Sequence, residues 1–336
     1  MAYAYIPVTV TNSESTATPT DFQQLVTVDL SYYSAFLNQD LSNTFFSSDT
    51  AGSTVVTSWL ESGNTYPFNS VNFWLYLPDG IGASSSITVY LQVDLSNTSH
   101  FNDTTTGVAP NLTSTYAEYD DGANVFLDYW NFAGTSLPSG FTNYNNGGTS
   151  TVDNGLNINI NEGQAVCTAP TYYSLVYDTP INAANTIVET YDSGTRTNGP
   201  PDLGIYTANS DTAGGYAGVA DVYGWGNGSI SGGYTNLGDP FHISSGTGVA
   251  SIYWVGQGNE GVGWNYDFAS STDTSETYSS SLYMAIGMGS CAGGSNITYY
   301  WLRTRAYPPN GVMPSATAGT SSGFPYYNTT TYEDLL

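Results

Sequence analysis

"YIPVTVTNSESTATPTDFQQLVTVDL", residues 5–30, sets two alternating apolar runs on either side of a stretch of Ser, Thr, Glu and Pro. Val8 and Val10 alternate with Thr9 and Thr11, and Val26, Val28 and Leu30 alternate with Thr27 and Asp29. Successive side chains of a strand point to opposite faces, so this period of two predicts strands with one buried face each. Further along, "SVNFWLYL" (70–77) puts Val71, Phe73, Leu75 and Leu77 on one face, and "ITVYLQVDL" (87–95) repeats the pattern from Ile87 to Leu95. "GLNINI" (155–160) does so with Leu156, Ile158 and Ile160 against Asn157 and Asn159. No stretch sustains a 3.6-residue period, and "SYYSAFLNQDL" from Ser31 allows at most a short helical turn. The chain is therefore predicted to be all-β, built from antiparallel sheets with one wet face.

At 336 residues it is long enough for two domains with separate cores. From Asp94 to Ser114 the sequence holds turn formers and little apolar periodicity, which marks a boundary. The expected division is an N-terminal β-sandwich over 1–112, a second sandwich over 113–310, and an extended C-terminal tail over 311–336. That tail is rich in Pro, Gly, Ser and Thr and cannot build a core alone, so an ordered tail needs a parent domain or a neighbouring subunit to hold it.

Charged residues make up only 9% of the chain, far below the globular norm of about 25%. There is no lysine, and the basic residues are Arg196, Arg303 and Arg305. A formal net charge of -25 argues against a nucleic-acid backbone or an anionic membrane surface as partner. Walker loops, Schiff-base chemistry and lysine–asparagine cross-links all need the missing lysine. At a pH of roughly 2 most carboxyls are neutral, and three Arg with two His leave a charge of about +5. An acidic exterior habitat is the expectation.

Cys167 and Cys291 read either as one disulfide closing a long loop or as two buried thiols. Asn-x-Ser/Thr sequons stand at Asn97, Asn102, Asn111, Asn227, Asn296 and Asn328, three of them clustered in the expected boundary loop. No run of 18 apolar residues is present, so no helical membrane span is expected. The opening "MAYAYIPVTV" has neither a basic stretch nor a long apolar core, so it does not read as a signal peptide.

Taken in order, "IPVTVTNSESTATPTDFQQLVTVDLSYYSAF", "LSNTFF", "SWLESG", "NFWLYLP" and "SITVYL" resemble a domain of unknown function found in archaeal and bacterial surface proteins. This resemblance covers about residues 4–95. Residues 124–307, with "NVFLDYWNFAGTSLPSGFTNY", "NGLNINI", "IVETYDSG" and "YYWLRTRAY", are similar to a concanavalin A-like jelly roll. The resemblance implies a two-sheet sandwich whose concave face serves sugars in related lectins and glucanases, although fold alone does not confer that activity.

A glycosidase needs two carboxylates flanking one bond. The glucanases of this fold carry Glu-x-Asp-x-x-Glu on one strand, whereas "VETYDSG" offers only Glu189 and Asp192. Their spacing puts them on opposite faces of a regular strand, and they are read as solvated carboxylates. His100 and His242 stand without a nucleophile motif and are read as a loop residue and a packing residue. "YAEYDDGANVFLDYW" gathers Glu118, Asp120, Asp121, Asn124 and Asp128 about a Gly turn, a set of hard oxygen donors for Ca2+ or else a solvated linker. Aromatic residues are 15% of the chain. Two Gly-rich stretches present Tyr223, Trp225, Trp264 and Tyr266 beside amides, which is how sugars are stacked and hydrogen-bonded; the competing reading is that these rings fill a core or an assembly contact.

These features lead to the expectation of a non-enzymatic structural and adhesive protein of an exterior surface. A virion spike or fibre contacting a host envelope or glycan comes first. A cellular extracellular filament or coat subunit that exchanges strands with its neighbours is the alternative, and a secreted glycan hydrolase is third.

Overall fold

A computed structural model describes residues 3–146, 148–160, 172–195, 201–206, 219–223, 245–271, 279–288 and 295–325. The chain forms two compact units. The first comprises Met1–Thr113, Tyr119–Val125 and Pro309–Leu336; the second comprises Ser114–Glu118 and Phe126–Pro308. Both are built almost wholly of strands, as the period-two patterning predicts.

The first unit contributes β1 (Tyr3–Asn12), β2 (Phe22–Val28), β3 (Thr44–Ser47), β4 (Val55–Val56), β5 (Ser58–Ser62), β6 (Val71–Leu77), β7 (Ser85–Asp94) and β8 (Thr106–Val108). Ala4, Ile6, Val8 and Val10 are the buried apolar residues on one face of β1, while Thr9 on the other is exposed. Ser31–Phe36 is a short 3-10 helix, in line with the short helical segment expected there. β2, β6, β5 and β8 form a four-stranded sheet, with β8 running parallel to β5. β1 and the ten-residue β7 run antiparallel over their whole length, and β3 and β4 extend that second sheet. Phe46 of one sheet meets Phe73 of the other edge to face at 5.2 Å, which is the sandwich contact of this core.

The second unit contributes β9 (Asp128–Trp130), β10 (Phe141–Asn146), β11 (Thr149–Val152), β12 (Leu156–Ile160), β13 (Tyr172–Tyr177), β14 (Ile181–Asn182) and β15 (Thr186–Thr195). β16 (Pro201–Tyr206), β17 (Val219–Tyr223), β18 (Ser245–Gly256), β19 (Asn259–Trp264), β20 (Asp267–Ser271), β21 (Ser281–Met288) and β22 (Ser295–Ala306) complete it. Among the described residues, one sheet runs β10-β13-β21-β16-β17 with β14 against β21. The other runs β11-β12-β22-β15-β18-β19-β20 with β9 against β22. Leu175, Leu203 and Ile286 of the first pack with Leu156, Val188 and Ile252 of the second in one core. This is an all-β, two-sheet sandwich.

After Pro308 the chain rejoins the first unit, where β23 (Ser315–Ala318) pairs antiparallel with Val8–Thr11 of β1. Part of the segment set apart in the sequence as a tail is thus the edge strand of a five-stranded sheet.

Candidate functional site

The most unusual chemistry lies at the centre of the larger sheet of the second unit. β15 is flanked by β22 and β18, and Glu189 stands opposite Arg303 on one side and Ser251 on the other. Glu189 and Arg303 are fully buried, and Arg305 is nearly so. Arg303 Nε and Nη2 donate to Glu189 Oε2 at 2.8 and 2.7 Å, while Arg305 Nε and Nη2 donate to Oε1 at 2.8 Å each. Ser251 Oγ adds a hydrogen bond to Oε1 at 3.2 Å.

Both carboxylate oxygens are thereby saturated with donors. Burial is the largest single influence and opposes ionisation, yet Arg305 and Arg303 together outweigh it and hold the Glu189 carboxyl below its usual range. A carboxylate in this state is a fixed anion that orders two guanidiniums. The solvated reading of Glu189 is therefore corrected: burial is tolerated because two cations meet the charge. Asp192 is also buried rather than solvated.

Aromatic rings frame the cluster. The Arg303 guanidinium lies 4.3 Å from the Phe126 ring centre and 4.2 Å from that of Trp301, a sandwich that favours a flat, weakly hydrated cation. Arg303 Nη2 also donates to the Tyr266 hydroxyl at 2.8 Å. Tyr191 stacks on Trp301 with centroids 5.8 Å apart and planes 16° apart. Burial, with Tyr307 and Glu260 nearby, pushes the Tyr253 phenol up to about 12, so that hydroxyl remains a donor at neutral pH. Trp301, Arg303 and Glu189 are fully buried and Phe126 and Tyr253 nearly so, which leaves Tyr191, Tyr266 and Tyr307 as the partly exposed rings of the cluster.

A bulge produces this face. Tyr191 pairs with Trp301 but Asp192 pairs with Tyr299, so Tyr300 is left over in β22. Ile297 and Tyr299 before the bulge and Leu302 after it all belong to the core. Trp301, Arg303 and Arg305 are turned to the opposite face, where Glu189 waits. Sequence reasoning missed this arrangement, although "VETY" and "WLRTR" each show the alternation that carries it.

Of the four residues expected to stack on sugar, Trp264 and Tyr266 fall on the β19–β20 hairpin. Trp264 shares the parity of the core residue Val262 and lies over Gly248, where a Cβ would come within 2.5 Å of its ring. The Tyr266 hydroxyl instead reaches Arg303 on the other face. Tyr223 ends β17, in the other sheet. Trp225, Asn227, Asn328, His242, Arg196, Cys167 and Cys291 lie outside the described residues.

The expected Ca2+ set is divided between the units: Asp120, Asp121 and Asn124 belong to the first, Glu118 and Asp128 to the second. Asp120 Oδ1 accepts the Trp59 Nε1 proton at 2.8 Å, and Asp128 Oδ2 accepts from Thr304 at 2.8 Å. Asn124 Nδ2 donates to the Asp103 carbonyl, and Glu118 is exposed. Asp121 is 1% exposed, and neither of its carboxyl oxygens is hydrogen-bonded among the described residues. Among the described residues no group of three or more His, Cys, Asp or Glu is arranged to hold a metal. His100 is a loop residue whose Nε2 lies 3.0 Å from Asp94 Oδ2. Of the described sequons, Asn97 and Asn296 are exposed and Asn102 and Asn111 half-buried.

No protein-family model matches the chain. Over 124 residues it is 44% identical to an uncharacterized protein of Sulfolobus islandicus rod-shaped virus 1, a match covering 37% of this chain and 21% of that protein. The chain thus spans about a fifth of the length of the curated relative it matches. Among solved structures it is similar to a glycosyl hydrolase family 16 protein from Mycobacterium smegmatis, at 11% identity over 53% of this chain and 99% of that one, with a TM-score of 0.37. It is also similar to peanut lectin (10% identity, 57% and 97% covered, TM-score 0.36). A third is the alginate lyase AlgAT5 of polysaccharide lyase family 7 (12% identity, 48% and 84% covered, TM-score 0.33). The expectation of a chain without enzymatic activity is overturned by these neighbours, which include a glycosyl hydrolase and a polysaccharide lyase beside a lectin. Among the described residues no helix is long and apolar enough to cross a membrane.

Proposed function

We propose that this chain is an exterior component of a virus particle and contacts glycan on a host envelope. The 44% identity to a protein of a rod-shaped virus carries the reading. The partly exposed rings of Tyr191 and Tyr266, held over a buried Arg-Glu-Arg cluster, support the glycan part, because flat rings with a hydroxyl at the edge match the apolar face and the rim of a sugar. A low charge density and the resemblance of residues 4–95 to surface-protein domains fit an exposed position.

Two measurements test it. Antibodies to the full chain, applied to purified particles of the virus whose genome encodes it, are expected to decorate the particle exterior. Particles that carry none of the chain remove the virion part. An array of host-envelope glycans is expected to retain the full chain, with retention lost on Trp225→Ala or Tyr266→Ala while the fold is kept; unchanged retention removes those rings from the contact.

A second reading, a subunit of an extracellular filament or coat, is favoured by β23, which completes a sheet edge from more than 300 residues away along the chain. A strand joined to its sheet in this way is one that copies can exchange.

A further inference from the structure

We infer that the first unit carries a separate binding site for neutral, polyhydroxylated ligands, at a wide-open surface cavity of about 540 Å³ lined by Asn38, Gln39, Asp40, Ser42 and Asn64. This rests on the glycan-contact reading above but concerns the other unit and other residues. Its volume falls within the range of about 300–1,000 Å³ usual for small-molecule sites.

The lining decides the ligand class. Its side chains are two Asn, one Gln, one Ser and one carboxylate, so the lining is more polar than apolar and an apolar ligand would strand its amides and carboxylate. All three basic residues of the chain lie beyond position 195, in the stretch 196–305, and none belongs to the first unit. Phosphate, sulfate and uronate groups would therefore meet only the negative Asp40. A single hard cation is poorly matched as well: one carboxylate in a space of this size leaves most of the volume to water. Hydroxyl groups fit, because they donate to a carboxylate and both donate to and accept from amides.

The floor of the cavity is braced and its rim is free. Asn38 Nδ2 donates to Ser42 Oγ at 3.0 Å and to the Asn97 carbonyl at 3.2 Å, and the Ser42 amide donates to Asp40 Oδ1 at 3.0 Å. Beneath them Asn43, fully buried, accepts from the Asn38 amide at 2.8 Å and donates to the Phe36 and Asp94 carbonyls at 2.8 and 3.0 Å. A frame of this kind holds polar groups in place before a ligand arrives. Gln39 and Asp40 are exposed, with no hydrogen bond at the Gln39 side chain or at the second oxygen of Asp40 among the described residues, and Asn64 completes the lining from the β5–β6 loop.

The same loops expose two aromatic rings. Tyr32 is 89% and Tyr66 70% exposed, well beyond what core packing asks of a tyrosine. The Leu30 amide donates to the Phe68 carbonyl at 2.9 Å, which ties the loop bearing Tyr32 to the loop bearing Tyr66 and Asn64. Neither ring is part of the cavity lining; each is an exposed ring on a segment leading to it, of the kind that stacks on the apolar face of a sugar.

The test is saturation-transfer NMR on the full chain with cellobiose, mannobiose and chitobiose, with glucuronate and CaCl2 as separate titrations. At least one neutral disaccharide is expected to bind at millimolar concentration. A Gln39→Ala/Asn64→Ala double variant, unchanged in thermal midpoint, is expected to bind it at least tenfold more weakly. Failure of every neutral sugar to bind overturns the site, as does equal binding by the double variant or a response of these loops to Ca2+ or glucuronate in place of the disaccharides. Binding lost instead on Tyr266→Ala also overturns it and supports the second-unit contact. A chain that binds through Gln39 and Asn64 yet is absent from particles supports this site and removes the virion reading.

Discussion

Arg303 and Glu189 face each other across adjacent strands with two nitrogens of the guanidinium within 2.8 Å of one carboxylate oxygen, both side chains fully buried. Arg305 occupies the other oxygen in the same way. Removing one partner of a buried pair strands the other charge, which costs about 3–5 kcal/mol, whereas replacing the whole group with apolar residues is often neutral or better. Glu189→Ala is expected to lower the unfolding free energy of the second unit by that amount in urea titrations. Glu189→Leu combined with Arg303→Met and Arg305→Met is expected to recover most of it. A loss under about 1 kcal/mol for the single variant would mean that the cluster contributes little to the fold. Because the folded Glu189 carboxyl sits below its ordinary value of 4.5, its contribution is present above about pH 4.5 and is lost as pH falls through the lower folded value.

Asp121 behaves in the opposite sense. Burial, reinforced by the nearby charge of Asp120 and then of Asp103, pushes its carboxyl from 3.8 up to about 8. The folded state keeps this proton where the unfolded chain has released it. The stabilisation is complete below pH 3.8 and is lost as pH rises from there to about 8. At pH 7 the loss is on the order of 4 kcal/mol. Asp121→Asn removes the ionisation while keeping the shape. The variant is expected to be more stable than wild type at pH 7 and no more stable at pH 3, as read from paired urea midpoints. Equal midpoints at pH 7 would show that Asp121 ionises freely in the folded state.

Much of the fold was legible because the code for a half-buried strand is local. Val8 and Val10, Val71 and Phe73, and Leu156 and Ile158 are buried as their alternation requires. β6 already shows the limit: Trp74 is as buried as Phe73, because its indole donates to Glu61 and both faces of the strand are covered. The Arg-Glu-Arg cluster was not legible, since Glu189 meets its cations 114 and 116 residues away. Continuing the alternation of Ile297 and Tyr299 would also have put Trp301, Arg303 and Arg305 in the core; the extra residue Tyr300 reverses the faces. The edge pairing of β23 is non-local in the same way, and its four residues, three of them exposed, leave no apolar pattern to read.

The returning segment is held by a few identifiable contacts. Ser322 and Tyr5 exchange backbone hydrogen bonds at 2.8 and 2.9 Å, and the Gly319 amide donates to the Pro7 carbonyl at 2.7 Å. Pro7 has no amide to give back, so the regular ladder stops at Val8. Buried Gln24 donates to the Pro314 carbonyl at 2.8 Å, and Phe324 packs on Tyr33 at 4.6 Å and on Phe36 at 5.4 Å. Truncation after Asn310 would uncover the outer edge of β1 and invite pairing between copies. Sedimentation of the truncated chain is expected to show concentration-dependent association that the full chain lacks at equal concentration. A truncated chain that stays monomeric and keeps its thermal midpoint would show that the segment adds nothing to the sheet.

Glycan occupancy should follow the engagement of each asparagine amide. An N-linked sugar replaces one hydrogen of Nδ2, so the side chain must be free to enter an enzyme and to hold a bulky group in solvent. Asn97 is exposed on a turn with φ of 59°, and the Asn38 amide bonds to its backbone carbonyl, leaving the side chain outside that contact. Asn102 is committed inward: its Nδ2 donates to the His100 carbonyl at 2.8 Å, and its Oδ1 accepts from the amides of Thr104 and Thr105 at 3.0 and 2.7 Å. Asn111 has a buried Oδ1. Peptide mass spectrometry of the chain from a glycosylating host is therefore expected to find Asn97 occupied well above Asn102 and Asn111. Asn102→Gln is expected to destabilise the 100–106 loop, whereas Asn97→Gln leaves the thermal midpoint unchanged. Occupancy at Asn102 equal to that at Asn97 would mean that modification precedes closure of this loop, and accessibility in the folded chain would then not select the sites.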